Sequence, residues 1–263
     1  MDIEFNGKAY LVTGGASGIG AAVVHYLARH GGNVVVADIN DEAGQQLVDS
    51  YPGQVACHHT DVTDYSALEA ACALAAERFG RLDGAVNSAG IGSLGNTLEI
   101  PLQDWRKVID IDLHGVFHAC RAALPLMLKN GGGSIVNIAS LSGIRADHGF
   151  AAYNAAKAGV INYSRTLGLD HAKDNIRANA VCPGLIETPL TAVPVSIDEV
   201  RNDWIGRIPL GRAGTAEEVA NLVVFLLSPA ASYINGTAIV IDGGMGSSNN
   251  QPDLPGIFAG LGG

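Results

Sequence analysis

KAYLVTGGASGIGAAVVHYLARHGG, residues 8–32, is the stretch that decides the fold. Residues 8–13 read as a short apolar strand. Gly14-Gly15-Ala16-Ser17-Gly18-Ile19-Gly20 then turns the chain into an amphipathic helical run. A strand, a glycine turn and a helix make a phosphate cradle. Glycines let the backbone approach a pyrophosphate, and the helix N-terminus offers unpaired N–H groups and the positive end of its dipole. The spacing is TGxxxGxG rather than GxGxxG, and such a turn alone is weak evidence for a nucleotide.

The rest of the chain repeats the alternation. Strand signals lie at 8–13, 33–38, 54–59, 83–87, 133–139, 176–181 and 238–241. Helix signals fall near 18–30, 41–50, 65–79, 102–129, 151–173 and 215–227. The strands are short, rich in Val and Ile, and continuously apolar, as strands covered on both faces are. The expected fold class is α/β: a doubly wound parallel sheet of about seven strands with helices on both faces, a Rossmann fold. With 263 residues, 48% of them hydrophobic, the chain fits one domain over 1–263. Residues 185–214, with Pro189, Pro194 and Pro209, are expected to form a substrate lid. Residues 243–263, rich in Gly, Ser, Asn and Pro, are expected to form a C-terminal arm.

A net charge of −10 without a basic run argues against nucleic acid and anionic membrane surfaces as partners. The opening MDIEFNGK lacks a basic segment followed by an apolar one, so no signal peptide is expected. No apolar run of about 18 residues suggests a membrane span. Cys57, Cys72, Cys120 and Cys182 lack paired spacing and read as free thiols in a reducing, cytoplasmic compartment. His114 and His118 share a helix face, but a third ligand is not evident, so no metal is expected. His58-His59 reads as carboxylate-paired or exposed.

The strand NVVVAD ends in Asp38. A carboxylate there accepts hydrogen bonds from the adenosine ribose hydroxyls and repels a 2′-phosphate. Ser17 leaves the glycine turn without a basic residue, so NAD is favoured over NADP. The plainer alternative is a helix cap, for which Asn40 and Asp41 are better placed.

A second constellation lies in the middle of the chain. Tyr153 and Lys157, at i and i+4, share one face of the helix AAYNAAKAGVINYSRTLGLD. Tyrosine alone carries protons poorly at neutral pH, and a lysine ammonium one turn away favours the phenolate. Ser140 ends the apolar strand SIVNIAS and can hydrogen-bond an alcohol or carbonyl oxygen. The trio suits proton transfer at a carbinol oxygen.

Together these residues resemble the short-chain dehydrogenase/reductase family, over about residues 5–244. The matching segments are TGGASGIG at 13–20, Asp38, Asp61-Val62, NSAG at 87–90, Ser140, Tyr153-x-x-x-Lys157, PGLIET at 183–188 and IDGG at 241–244. The resemblance implies that Tyr153 is the catalytic acid/base and Ser140 orients the substrate oxygen. It implies that Lys157 both modifies Tyr153 and holds the nicotinamide ribose. The same resemblance puts Gly14, Ser17, Gly18, Ile19 and Gly20 at the pyrophosphate and Asp61 and Val62 beside the adenine. Asn87, Ala89 and Gly90 would line the cofactor cleft. Pro183, Gly184, Ile186 and Thr188 would hold the nicotinamide.

Two positions depart from the family pattern. A second asparagine after Asn87 is replaced by Ser88. In IDIDLHGVF the usual asparagine is Asp112, the fourth member of the implied catalytic set. Its main chain can preserve the family role of holding a relay water, or its carboxylate can act on Lys157.

His148 and Phe150, in the loop before Tyr153, are candidate substrate contacts. Trp105 and Phe117 are expected to pack the helix at 102–129, and Trp204 to cover substrate or pack. The stretch 108–189 and the ending DGGMGSSNNQP are similar to the acetoin reductase/2,3-butanediol dehydrogenase branch, which brings Gln251 near the site or a neighbouring subunit. The resemblance thus implies an NAD-dependent secondary alcohol dehydrogenase acting on a small diol or on a cyclic or aromatic alcohol. It also implies a homotetramer. The alternatives are a 3-oxoacyl thioester reductase, disfavoured by Asp38 and the negative charge, and a non-catalytic dinucleotide-binding scaffold, disfavoured because the trio is complete.

Overall fold

Strand apolarity follows from what covers each face. β1 (Ala9–Thr13) is buried at all five positions, and its side chains divide between two cores. Leu11 joins one core, whereas Tyr10 and Val12 join the other. β2 (Asn33–Asp38) splits the same way, with Val35 and Ala37 opposite Val34 and Val36. A strand that buries both faces cannot alternate polar with apolar residues.

The computed structural model describes residues 3–247, 251–252 and 254–261. After β2 come β3 (Val55–His59), β4 (Gly84–Asn87), β5 (Gly133–Ile138) and β6 (Ile176–Pro183). Two-residue strands β7 (Ile186–Glu187) and β8 (Gly214–Thr215) pair with each other, and β9 (Ala238–Ile241) closes the series. Among the described residues, seven strands form one parallel sheet in the order β3-β2-β1-β4-β5-β6-β9. The expected fold is the one observed.

The helices are α1 (Gly18–Arg29), α2 (Asp41–Ser50), α3 (Tyr65–Phe79), α4 (Leu102–Ile109), α5 (Gly115–Lys129), α6 (Ala151–Asp170), α7 (Pro189–Val195), α8 (Asp198–Gly206), α9 (Ala216–Leu227) and α10 (Leu254–Leu261). One core joins α3, α5 and α6 to the sheet, and the other joins α1, α2 and α9. Local chemistry sets the boundaries. Asn40 caps α2 by accepting from the Ala43 N–H. α3 ends at Gly80 in the left-handed region, and a Thr215–Glu218 capping box opens α9.

The expected continuous helix at 102–129 is interrupted. Asp110–His114 forms a π turn between α4 and α5. π turns insert one extra residue per turn and re-aim the side chains they carry. Here Asp112, inside the turn, is fully buried, and Gly115 closes against Val62, which leaves no room for a Cβ. Trp105 and Phe117 are more exposed than expected, at 37% and 43%, and Phe117 meets Tyr163 of α6 edge to face. The segment 185–214 holds β7, α7, α8 and β8. Trp204 packs there with Leu185, Ile208 and Ala213.

Among the described residues, no helix is long and apolar enough to cross a membrane. Among the same residues, no group of three His, Cys, Asp or Glu side chains is arranged for a metal ion. His118 bonds the Val62 carbonyl, and His114 pairs with Asp110.

Leu11 lies in the central strand with no exposed surface. Leu11→Ala is expected to destabilise the fold by about 2–5 kcal/mol. Urea unfolding monitored by circular dichroism checks this, and a midpoint unmoved from the unaltered protein's would contradict the two-core description.

Candidate active site

At the carboxyl ends of β1 and β4 the strand order reverses, and there the glycine turn meets the loop after β4. Gly14 and Gly18 have φ of +62° and +50°, conformations that glycine adopts without strain. A Cβ on Gly14 would stand 2.7 Å from the Ala89 backbone, and one on Gly20 would overlap the Gly14 carbonyl. Ser17 is the N-cap of α1, but its side chain makes no capping bond. The first N–H groups of α1 therefore lack a side-chain acceptor at the place where a pyrophosphate needs donors.

Asp38 ends β2 beside this turn. Its Oδ2 accepts from the Ala16 N–H and its Oδ1 from the Asn40 N–H, both at 2.9 Å. Those two bonds fix the carboxylate on the wall of the cleft. Capping of α2 is left to Asn40.

The acid/base residues converge from three elements. Ser140, 7% exposed, follows β5 and accepts from the Ser142 N–H at 3.1 Å. Tyr153 and Lys157 stand one turn apart on α6, with Lys157 Nζ 5.4 Å from the Tyr153 ring centre. Lys157 is buried and donates to the Ile138 carbonyl at 3.1 Å. Asp112 Oδ1 accepts from the Ile91 N–H at 2.9 Å, and Oδ2 faces Lys157 Nζ at 3.2 Å as an ion pair. Oδ2 has no aligned hydrogen-bond donor among the described residues. Burial disfavours the charged amine, but the Asp112 carboxylate overrides it, with a smaller contribution from Tyr153. The lysine is held above its ordinary range.

One cleft of about 600 Å³ gathers these groups. Of the catalytic, cofactor and substrate residues expected from the sequence, Gly20, Asn87, His148, Phe150 and Gln251 are not on its wall, and the others line it. Gly20 is packed behind Gly14. Asn87 was expected to line the cleft. Instead it points into the sheet, where Nδ2 donates to Asn137 Oδ1 at 2.7 Å, and Asn137 in turn donates to Ser164. Its place at the end of β4 aims the side chain at the neighbouring strand, leaving Ser88, Ala89 and Gly90 as the wall. His148 and Gln251 are exposed. Phe150 is half-buried and packs edge-on against the Tyr153 ring.

The structure adds residues that sequence reasoning missed. Lys107 and Ile111 line the cleft next to Asp112, and their i, i+4 spacing was the available signal. Leu190 and Thr191 bring α7 to the opposite wall. Ser140 also donates to Ser142, and Ser142 to Asp147, a short polar chain leading from the cleft to the surface.

Residues 14–246 match a family model described as enoyl-(acyl carrier protein) reductase. Meso-2,3-butanediol dehydrogenase of Serratia marcescens is 41% identical over 96% of this chain and 100% of its own. A 3-oxoacyl-[acyl-carrier-protein] reductase of Thermotoga maritima is 40% identical over 92% of this chain and 99% of its own. The crystal structure of levodione reductase superposes with a TM-score of 0.89 at 35% identity, covering 93% of this chain and all of that one. The chain belongs to the short-chain dehydrogenase/reductase family. It is an oxidoreductase of that family, whose Rossmann fold binds nicotinamide dinucleotides.

Gly90 is where the wall and the ion pair touch. A Cβ there would meet Asp112 Oδ2 at 2.9 Å and Lys157 Nζ at 3.3 Å. Gly90→Ala is expected to cost about 1–3 kcal/mol, because the pair must shift to admit the methyl group. Urea denaturation reads the loss. An unchanged midpoint would mean that the pair yields freely.

Proposed function

We propose that this protein interconverts a secondary alcohol and a ketone with NAD as cofactor, and that its substrate is a small diol or hydroxyketone of the acetoin type. The observation that carries the reading is the meeting of Ser140, Tyr153 and Lys157 in the cleft that also holds the glycine turn and Asp38. The fit of a dinucleotide rests on the Gly14–Ala89 backbone approach, the uncovered start of α1 and the fixed Asp38 carboxylate.

A bound nicotinamide dinucleotide supplies the hydride acceptor for oxidation and the donor for reduction. Tyr153, as phenolate, takes the hydroxyl proton of the alcohol, and as phenol it returns that proton to the carbonyl oxygen. Ser140 orients the substrate oxygen by hydrogen bonding, held in turn by Ser142. Lys157 keeps the phenolate accessible and binds the ribose of the nicotinamide half. Asp38 receives the adenosine ribose hydroxyls, and its charge disfavours a 2′-phosphate.

The diol reading draws on the Serratia relative. The Thermotoga relative and the description of the family model favour a second reading, a 3-oxoacyl thioester reductase. Asp38 and the charge of −10 weigh against it. The segment 185–214 serves as the substrate lid in one domain, with Leu190 and Thr191 reaching the cleft. Exposed Trp105, Phe117 and Leu169 on α4, α5 and α6 support a homotetramer built on these helices. Free thiols at all four cysteines support a cytoplasmic setting.

Initial rates with NAD and NADP over 2,3-butanediol stereoisomers, cyclohexanol, 1-phenylethanol and a 3-hydroxyacyl thioester test the assignment. A diol winner with NAD is expected. Activity confined to the thioester would install the second reading. Tyr153→Phe is expected to abolish turnover while NADH binding, followed by fluorescence, stays within about threefold. Asp38→Ala is expected to narrow the NAD preference about tenfold or more, and an unchanged preference would remove Asp38 from cofactor selection.

A further inference from the structure

Among the described residues, Lys157 and Asp112 form the one ion pair with both side chains below a tenth exposed, at 5% and 0%. The pair lines the cleft beside Gly90, and its lysine stands one turn from Tyr153. We propose that Asp112 is a positioning residue that offsets part of the charge Lys157 presents to Tyr153, so that Lys157 favours the phenolate less strongly than an unpaired ammonium would. The proposal rests on Tyr153 being the proton carrier.

A lone ammonium beside a phenol acts on it as a monopole and favours the phenolate. An ammonium with a carboxylate 3.2 Å from it acts as a dipole, whose influence falls off faster with distance. Burial removes most of the solvent screening that would otherwise hide the difference. The groups facing Lys157 are few. Asp112 faces it from the π turn, the Ile138 carbonyl from β5, and Tyr153 from its own helix. The Cys182 thiol of β6 is pushed up to about 11 by burial and is neutral at ordinary pH. Asp112 itself meets Lys157 and the Ile91 N–H. Among these groups Asp112 is the one carboxylate.

A purely structural role makes a different demand. The Ile91 N–H needs only an acceptor oxygen, which an amide provides as well as a carboxylate. Full burial of a charged oxygen with no aligned donor, aimed at an ammonium, is a costly arrangement for an anchoring task alone.

The test reads tyrosinate absorbance near 295 nm against pH, without substrate. Subtracting the Tyr153→Phe titration isolates the step that belongs to Tyr153. In Asp112→Asn that step is expected about one pH unit or more lower than in the unaltered protein. The acid limb of the alcohol-oxidation rate should move down with it. A step that does not move overturns the proposal. Should Asp112→Asn fail to fold, Asp112→Ser read in the same way decides, and a step that does not move there overturns the proposal. Loss of the tyrosinate step in Tyr153→Phe with undiminished turnover would instead refute the reading of Tyr153 as proton carrier.

Discussion

A lysine ammonium sealed from water has to be compensated, and much of the site follows from how Lys157 is. Two groups meet it: the Ile138 carbonyl at the end of β5 and the Asp112 carboxylate. Each comes from a different element, so the position of one nitrogen ties α6, β5 and the π turn together. Removing one partner from such a buried pair typically costs about 3–5 kcal/mol, because the other charge stays behind uncompensated. Gly90 fits the same scheme, since any side chain there would collide with the pair from the cleft side.

The fold was largely legible in the sequence. Continuous apolar strands, a glycine turn after β1 and helices between strands specify a doubly wound sheet with little ambiguity. The chemistry of Ser140, Tyr153 and Lys157 was legible because i, i+4 spacing on α6 is a local property. Asp38 and Asn40 divided between cleft wall and helix cap as their neighbours suggested.

What was not legible depended on long-range placement. The π turn at Asp110–His114 has no composition signal, because propensity treats IDIDLHG as ordinary helix. Asp112 inside it pairs with a lysine 45 residues away in sequence, a contact that no local pattern encodes. Asn87 misled for a related reason. Strand-end residues after a parallel sheet usually face the cleft, but side chains alternate, and this one falls on the inward side. Lys107 on α4 and Ile111 in the π turn share a face by their i, i+4 spacing, but spacing does not tell that the face borders a cavity.

The buried amide pair on β4 and β5 has a consequence for folding fidelity. Asn87 and Asn137 are register partners, and Asn137 passes its amide on to Ser164, whose hydroxyl ends on the Val160 carbonyl. Apolar side chains along two adjacent strands are nearly interchangeable, so a slip between them would bury similar surface and go unpunished. A single amide rung removes that degeneracy. Shifted by one residue, Asn87 would face Val136 or Ile138, neither of which can answer its amide. The network thus works as a register pin for the middle of the sheet, which is also the platform that carries Ser140 to its place.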